Sequence, residues 1–403
     1  MKLKSLILGS AALLAVVNVA HAADLPAAAE PVEYVKVCDA FGSGFFYIPG
    51  TQTCLKIGGQ VRADFAYADH LDGVNDRSFN NFRTRARGYL FLETNTQSDI
   101  GLIHTYVEER MTLDSKTSSG DASSTASTLQ NAFVDIISDF GTFTAGRANS
   151  YFDVYGTDAF NYVLGGDDPT NPTNLVAYKF ALGGSFYAAV SLEDAASSPS
   201  PYRRASTNLT NDFNYGGQEL PDLVASIGAK SGWGAAQIMG VLHEVRSNRS
   251  GDDNELGWAV GAGLSAVKIP HSIFSVGGQV TYGEGTTGYV TTGNGGPLAD
   301  ARYDADGDID LTKAWSVRGG ITANLTKTWQ AVLTGSYADV DHYGDAYDYK
   351  TYSAAAQLDW KPVAGLLIGA EVEYENVDGK SGYLASNLSG DVWGGTLRVQ
   401  RKF

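Results

Sequence analysis

Long stretches of this chain alternate apolar and polar residues with a period of two. In KAWSVRGGITANL (313–325), Trp315, Val317, Gly319, Ile321, Ala323 and Leu325 form one set, and Ser316, Arg318, Gly320, Thr322 and Asn324 the other. TWQAVLTGSY sets Trp329, Ala331, Leu333 and Tyr337 against Gln330, Thr334 and Ser336. GLLIGAEVEYE sets Leu366, Ile368, Ala370, Val372 and Tyr374 against Gly369, Glu371, Glu373 and Glu375. Successive side chains of a strand point to opposite faces, so each stretch predicts a strand with one apolar and one polar face.

Sixteen such strands are predicted, at about 55–68, 81–94, 100–111, 129–138, 141–148, 174–181, 184–192, 221–229, 232–243, 255–265, 272–283, 312–323, 328–338, 348–360, 364–375 and 392–403. Their connections alternate between tight turns (SDFG, LGG, KSGWG, KIPHS, LTK, KPVAG) and long loops at 69–80, 112–128, 149–173, 193–220, 244–254, 284–311, 339–347 and 376–391. A soluble sandwich would also alternate. These strands, however, have the length of a tilted membrane crossing. Aromatics also sit at their ends on the apolar face, at Trp315, Trp329, Tyr337, Trp360, Tyr374 and Trp393, where interfacial girdles would lie. The expected fold is all-β: a 16-stranded antiparallel transmembrane β-barrel, apolar outward and polar inward, closed because lipid cannot satisfy a sheet edge. In the last segment Trp393, Leu397, Val399 and Phe403 share one face, as suits a closing strand.

Composition agrees. The chain has 47 glycines, 22 tyrosines and only 18% charged residues, a β-rich balance. No stretch after the first residues approaches the length of an apolar helical span. Residues 1–22 have two lysines, an apolar run and a small-residue AHA end, the layout of a secretory signal peptide cut after Ala22. A transmembrane anchor is the alternative, for which the run is short. The formal net charge of −16 argues against a nucleic-acid partner. Within an N-terminal extension, 23–54, the two cysteines Cys38 and Cys54 enclose fifteen residues. In a secreted chain a disulfide is favoured over a metal pair, since neither cysteine has another ligand at metal spacing.

The segment VKVCDAFGSGFFYIPGTQTCLKIGGQVRADF (35–65) resembles the N-terminal signature of alphaproteobacterial general porins, the type found in rhizobia and brucellae. NAFVDIISDFGTFTAGRANSYFDVYGTDAF (131–160) resembles the strand–turn–strand–loop unit of porins more widely. The resemblance covers the whole chain. It implies a sixteen-stranded barrel in the outer membrane of a Gram-negative bacterium, among lipid and lipopolysaccharide, usually a homotrimer. Small hydrophilic solutes and ions would pass by passive diffusion, without a cofactor. It also implies that the loop at 149–173, carrying Asp153, Asp158, Asp167 and Asp168, folds into the lumen and narrows the pore.

NFRTRARGYL places Arg83, Arg85 and Arg87 on one face, with Phe82, Thr84, Ala86 and Leu90 on the other. On the preceding strand, Lys56 and Arg62 oppose Leu55, Ile57, Val61, Phe65 and Tyr67. Each charge on the lipid face would cost about 2–4 kcal/mol at the midplane, so the arginines are expected in the lumen. Facing the acids of the inserted loop, they would form a constriction with a transverse field that tunes selectivity. Pairing with wall acids such as Asp64 or Glu93 is the structural alternative. Glu371, Glu373 and Glu375 pose the same choice between an acidic stripe in the pore and a place in the outer vestibule.

Other patterns carry less. DARYDADGDID (300–310) is rich in aspartate but lacks the glycine and terminal glutamate spacing of a calcium loop, and is expected to be solvated. GAGLSA (261–266) is followed by KIPHS rather than a helix, which removes a dinucleotide reading. TSSGDASSTAST (117–128) is expected to be a surface loop. His104 falls on the predicted lumen face with Tyr106, Glu108 and Arg110, and no histidine sits in a nucleophile or metal motif. A substrate-specific channel, a barrel hydrolase and a plugged structural barrel stand as alternatives to a diffusion pore.

Overall fold

The computed structural model describes residues 36–69, 80–115, 124–156, 158–162, 164, 172–196, 215–249, 254–293, 296–380 and 389–403. The expected signal peptide, Asp167 and Asp168 lie outside the described residues. Sixteen strands form the wall: β1 Cys54–Ala68, β2 Phe82–Ser98, β3 Gly101–Asp114, β4 Ser124–Ser138, β5 Gly141–Asn149, β6 Pro172–Gly183, β7 Phe186–Glu193, β8 Asp222–Ser231, β9 Gly234–Val245, β10 Glu255–Lys268, β11 Phe274–Glu284, β12 Lys313–Asn324, β13 Trp329–Asp341, β14 Tyr349–Trp360, β15 Leu366–Gly379 and β16 Gly390–Lys402. Each pairs antiparallel with its neighbours in sequence.

The last strand closes the ring. β16 pairs antiparallel with β1, with Leu397 opposite Phe65 and Arg398 opposite Asp64. The terminal residue completes the seam, since Gly59 and Phe403 exchange both backbone hydrogen bonds, at 2.9 and 3.0 Å. A Cβ on Gly59 would lie 2.6 Å from the Phe403 ring, which packs over the glycine's backbone. Closure leaves no open edge on the wall, which is the condition for a sheet in lipid.

All sixteen predicted strands are present, with several ends displaced. β4 begins at Ser124 and takes up the end of the serine-rich run expected as loop, because 124–128 of that run pairs with 110–114 of β3. β15 continues to Gly379. The loop predicted at 284–311 contains a short helix, α1 Thr287–Val290, and a hairpin of Ala301–Tyr303 with Ile309–Leu311. The DADGD part of the aspartate-rich segment is the tip of that hairpin, where Asp304 Oδ1 accepts the backbone N–H groups of Asp306 and Asp308, both at 2.9 Å.

The two faces sort as the alternation requires. Val317, Ile321, Leu333, Leu358, Val372 and Leu397 are exposed outward, while their neighbours Ser316, Arg318, Gln357, Glu371 and Arg398 are buried inward. Aromatic rings band the outside at both ends. Trp315 meets Tyr337 at 4.9 Å and Tyr337 meets Tyr352 at 5.2 Å near the loop end. Trp329 stacks on Trp360 at 6.2 Å near the turn end. No helix among the described residues is long and apolar enough to cross a membrane, so any crossing is by strands.

Cys38 and Cys54 are joined, and with Phe45 they form a small buried cluster at the turn end. The strand Phe46–Tyr47 pairs with the start of β1 beside it. The bridge closes a short local loop, worth about 3 kcal/mol on the chain-entropy model. Cys38→Ser with Cys54→Ser should therefore loosen this extension to limited proteolysis while the folded barrel's electrophoretic mobility stays unchanged. On the wall, Leu333→Arg should cost about 2–4 kcal/mol in urea titrations of refolding into vesicles. Asn131→Arg, inward beside Glu108, should leave that midpoint nearly in place.

Candidate functional site: the lumen wall and its inward loop

Arginines dominate one side of the lumen. On β1, Asp64 is fully buried and shared by two of them: Arg62 Nε donates to it at 2.6 Å and Arg398 Nε, across the seam, also at 2.6 Å. On β2, Arg85 makes a two-pronged contact with Asp114 of β3, at 2.6 and 2.7 Å. Such paired, charge-assisted bonds fix a guanidinium firmly. Arg87 donates to Thr112 at 2.8 Å and contacts the Tyr89 hydroxyl at 3.4 Å. Arg83 Nε is buried without a hydrogen-bond partner among the described residues. Neither Arg83 nor Arg87 has a carboxylate partner among the described residues. Further along, Arg110 reaches Glu108 at 3.0 Å. His104 lies between Asp135 at 3.1 Å and Glu93 at 3.4 Å.

The segment after β5 runs along the opposite inner wall. Tyr151 N donates to Glu193 of β7 at 2.9 Å, and Gln237 of β9 donates to the Tyr151 carbonyl at 3.0 Å. Asp153 then pairs with Arg318 of β12 at 2.5 Å. Asp158 accepts from Thr322 of the same strand at 3.0 Å. Phe160 N donates to Glu371 of β15 at 2.7 Å and to Gln357 of β14 at 2.8 Å, and Asn161 N reaches the same Glu371 at 2.9 Å. Asn161 is in the left-handed region, φ 43°, which turns two successive N–H groups onto one carboxylate. Leu164 N reaches Glu373 at 2.9 Å. In sequence order, the partners advance round the barrel from β7 to β15.

Inward glycines make room for this course. A Cβ on Gly263 would sit 2.8 Å from Val154, on Gly277 2.6 Å from the Tyr155 ring, on Gly320 2.5 Å from the Tyr155 hydroxyl and on Gly369 2.5 Å from the Phe160 ring. Beyond these seats the segment reaches the arginine wall with aromatic rings. Arg398 lies 3.9 Å from the Phe160 ring centre and Arg85 lies 4.4 Å from that of Tyr162. Such contacts contribute about 0.5–2 kcal/mol each. Burial pushes the Tyr162 phenol up from its usual value despite the opposing pull of Arg85, so it stays neutral.

The site residues expected from sequence are thus brought together only in part. Arg62, Arg83, Arg85 and Arg87 share the lumen with Asp153 and Asp158. The two acids, however, engage β12 rather than the arginines. Glu371 and Glu373, undecided from sequence, hold the backbone of the inward segment. Arg318, Arg398, Phe160 and Tyr162 were not singled out by sequence. The arginines were legible as inward-facing by alternation, but nothing local marked their partners.

Comparison with known proteins agrees with this architecture. The profile of the porin subfamily matches residues 24–394. The porin Omp2b of Brucella abortus is 30% identical over 417 aligned residues, covering 100% of both chains. Among solved structures, Salmonella typhi OmpF in complex with daunomycin aligns with TM-score 0.54 and 12% identity, over 87% of this chain and 98% of that one. The trimer form of Vibrio cholerae OmpT aligns with TM-score 0.53 and 10% identity, over 88% and 100%. At those identities the structural likeness speaks for the fold alone, while the profile and the full-length relative fix the family: the chain belongs to the porins and is a β-barrel of the outer membrane.

Proposed function

We propose that this porin is a general diffusion pore, passing small hydrophilic solutes and ions down their gradients across the outer membrane. The observation that carries the reading is a closed sixteen-stranded barrel whose inner wall holds ionised groups while its outer face is apolar. Sixteen strands enclose more space than wall side chains fill, leaving room for an aqueous path. No chemical turnover is required, so the chain is read as a channel rather than an enzyme. Three copies are read as the working assembly, as in the OmpT trimer form, with outer-membrane lipid and lipopolysaccharide around the apolar face.

The eyelet in this reading lies between Arg62, Arg83, Arg85 and Arg87 and the loop at 149–173, with its acids Asp153, Asp158, Asp167 and Asp168. The charges of Arg83 and Arg87 would act strongly on permeating ions, because a narrow lumen between low-dielectric walls screens poorly. Arg83→Gln with Arg85→Gln and Arg87→Gln should shift the reversal potential under a KCl gradient toward cation preference, and an unchanged potential would sink this assignment. The far part of the loop is held by three backbone N–H groups on two carboxylates, Glu371 and Glu373. Bonds to charged acceptors are worth about 1.5–3 kcal/mol each. Glu371→Ala with Glu373→Ala should therefore give noisier or larger single-channel currents from a barrel of normal folded mobility.

A further inference from the structure

The inner wall is not polar all round. On β8 and β9 the inward positions near the loop end include Val224, Met239, Val241 and Val245, all buried, although Leu223, Ile238 and Leu242 already give these strands an apolar outer face. Val340 of β13 and Val377 of β15 also point inward and are buried. Strands apolar on both faces are covered on both faces. Water would be a poor cover for this half of the wall. On the other half, by contrast, Glu93, Arg110 and Asp114 keep 32%, 30% and 25% of their side-chain surface exposed.

The cover is shared: Phe152 of the segment after β5 reaches the cluster of Val224, Met239 and Val241, and the segment between β11 and β12 supplies the rest of what the described residues show. Its helix α1 is entirely buried, with Tyr289 packed into the cluster of Val224 and Val241 and Val290 into that of Val340 and Val377. It is bolted to the wall by polar contacts. Thr286 Oγ1 donates to the Trp258 carbonyl at 3.0 Å, Ser316 Oγ to the Val290 carbonyl at 2.6 Å, and Tyr349 OH to the Pro297 carbonyl at 3.0 Å. Asp300, fully buried, accepts both the N–H and the hydroxyl of Thr287 at 2.7 Å. Tyr289 donates to Asp222, whose other oxygen lies 2.7 Å from His243 Nδ1, and Tyr215 joins His243 to Asp300. The Tyr289 ring also meets Phe152 edge-on at 5.2 Å, so this segment touches the one that follows β5.

We infer that the described residues of 285–312 form a second inward-folded restriction, which fills the loop-end lumen along β8–β15 and confines solutes to the arginine-bearing side. It acts as a size filter above the eyelet, latched by Asp300 and the Asp222–His243 pair. The inference rests on the diffusion-pore reading for its effect on transport, but its placement can be tested without current. With the native disulfide intact, Val241→Cys should react with a water-soluble, membrane-impermeant thiol reagent far more slowly than Asn131→Cys on the open side. It should become reactive when 287–299 is replaced by a Gly-Ser-Gly linker. Equal labelling of the two cysteines with the segment in place would overturn the inference, even in a protein that proved silent in bilayers.

In current recordings the linker variant should show a larger unitary conductance, and admit larger neutral sugars in liposome swelling. A folded linker variant with unchanged conductance and sugar cut-off would overturn the filter. Should the linker variant fail to fold, Asp300→Ala releases the latch alone. It is expected to show excursions to a larger conductance, with its reversal potential kept. A quiet trace at the parent level from folded D300A would count against the filter in the same way.

Discussion

The pairing of the first strand with the last is the constraint on which everything else depends. A sheet in hydrocarbon has no solvent for an unpaired N–H or C=O, and each such group would cost several kcal/mol. The seam between β1 and β16 removes that penalty, with Gly59 and Phe403 completing it at the turn end. Arg398 and Asp64 join across the same seam on the inside, so the closure that satisfies the membrane also assembles one edge of the arginine wall. Arg62 is drawn in through the same carboxylate. Fold and lumen chemistry meet in one pair of strands.

Closure at sixteen strands creates a second problem, because the ring is wider than its wall side chains can fill. The excess is taken up by chain rather than by larger residues. One segment follows β5 and seats Tyr155 and Phe160 against inward glycines of β11, β12 and β15. The other follows β11 and packs against inward valines. These are different solutions. Glycine seats bring a loop close to a wall that remains polar, and backbone N–H groups then find carboxylates such as Glu371. Valine seats form an apolar interior and leave the polar work to a few buried groups, Asp222, His243 and Asp300.

This division explains what could be read from sequence. All sixteen strands were legible, because alternation, tight turns and long loops are local signals. The ends were not, since pairing partners decide them: Ser124–Thr128 becomes strand only because β3 stands beside it. Arg83, Arg85 and Arg87 were legible as inward-facing for the same local reason. Their environment was not, since Asp114 lies 29 positions from Arg85 and Asp153 lies 165 positions from Arg318. The covering of the inner wall had left a trace. In QIMGVLHEV, Met239 and Val241 interrupt the polar set that a wet lumen would require. Two-sided hydrophobicity in a barrel strand is therefore a signal of an infolded loop.

An acidic chain can carry a row of arginines because distance separates the two effects. A formal charge of −16 is a property of the whole molecule, and solution ions screen it beyond roughly 10 Å at ordinary salt. Within the lumen only near groups count, and there the balance is set pair by pair. Asp64 answers Arg62 and Arg398, and Asp114 answers Arg85. Arg83 and Arg87 have no carboxylate partner among the described residues, and burial holds an uncompensated charge at a cost unless a mobile anion or water stands near it. The aromatic rings of Phe160 and Tyr162 face Arg398 and Arg85, whose charges already have carboxylate partners, so the described part of the loop meets the arginine wall with neutral rings. Guanidinium groups set beside neutral aromatics can attract anions without binding them tightly, which is the compromise a conducting pore needs.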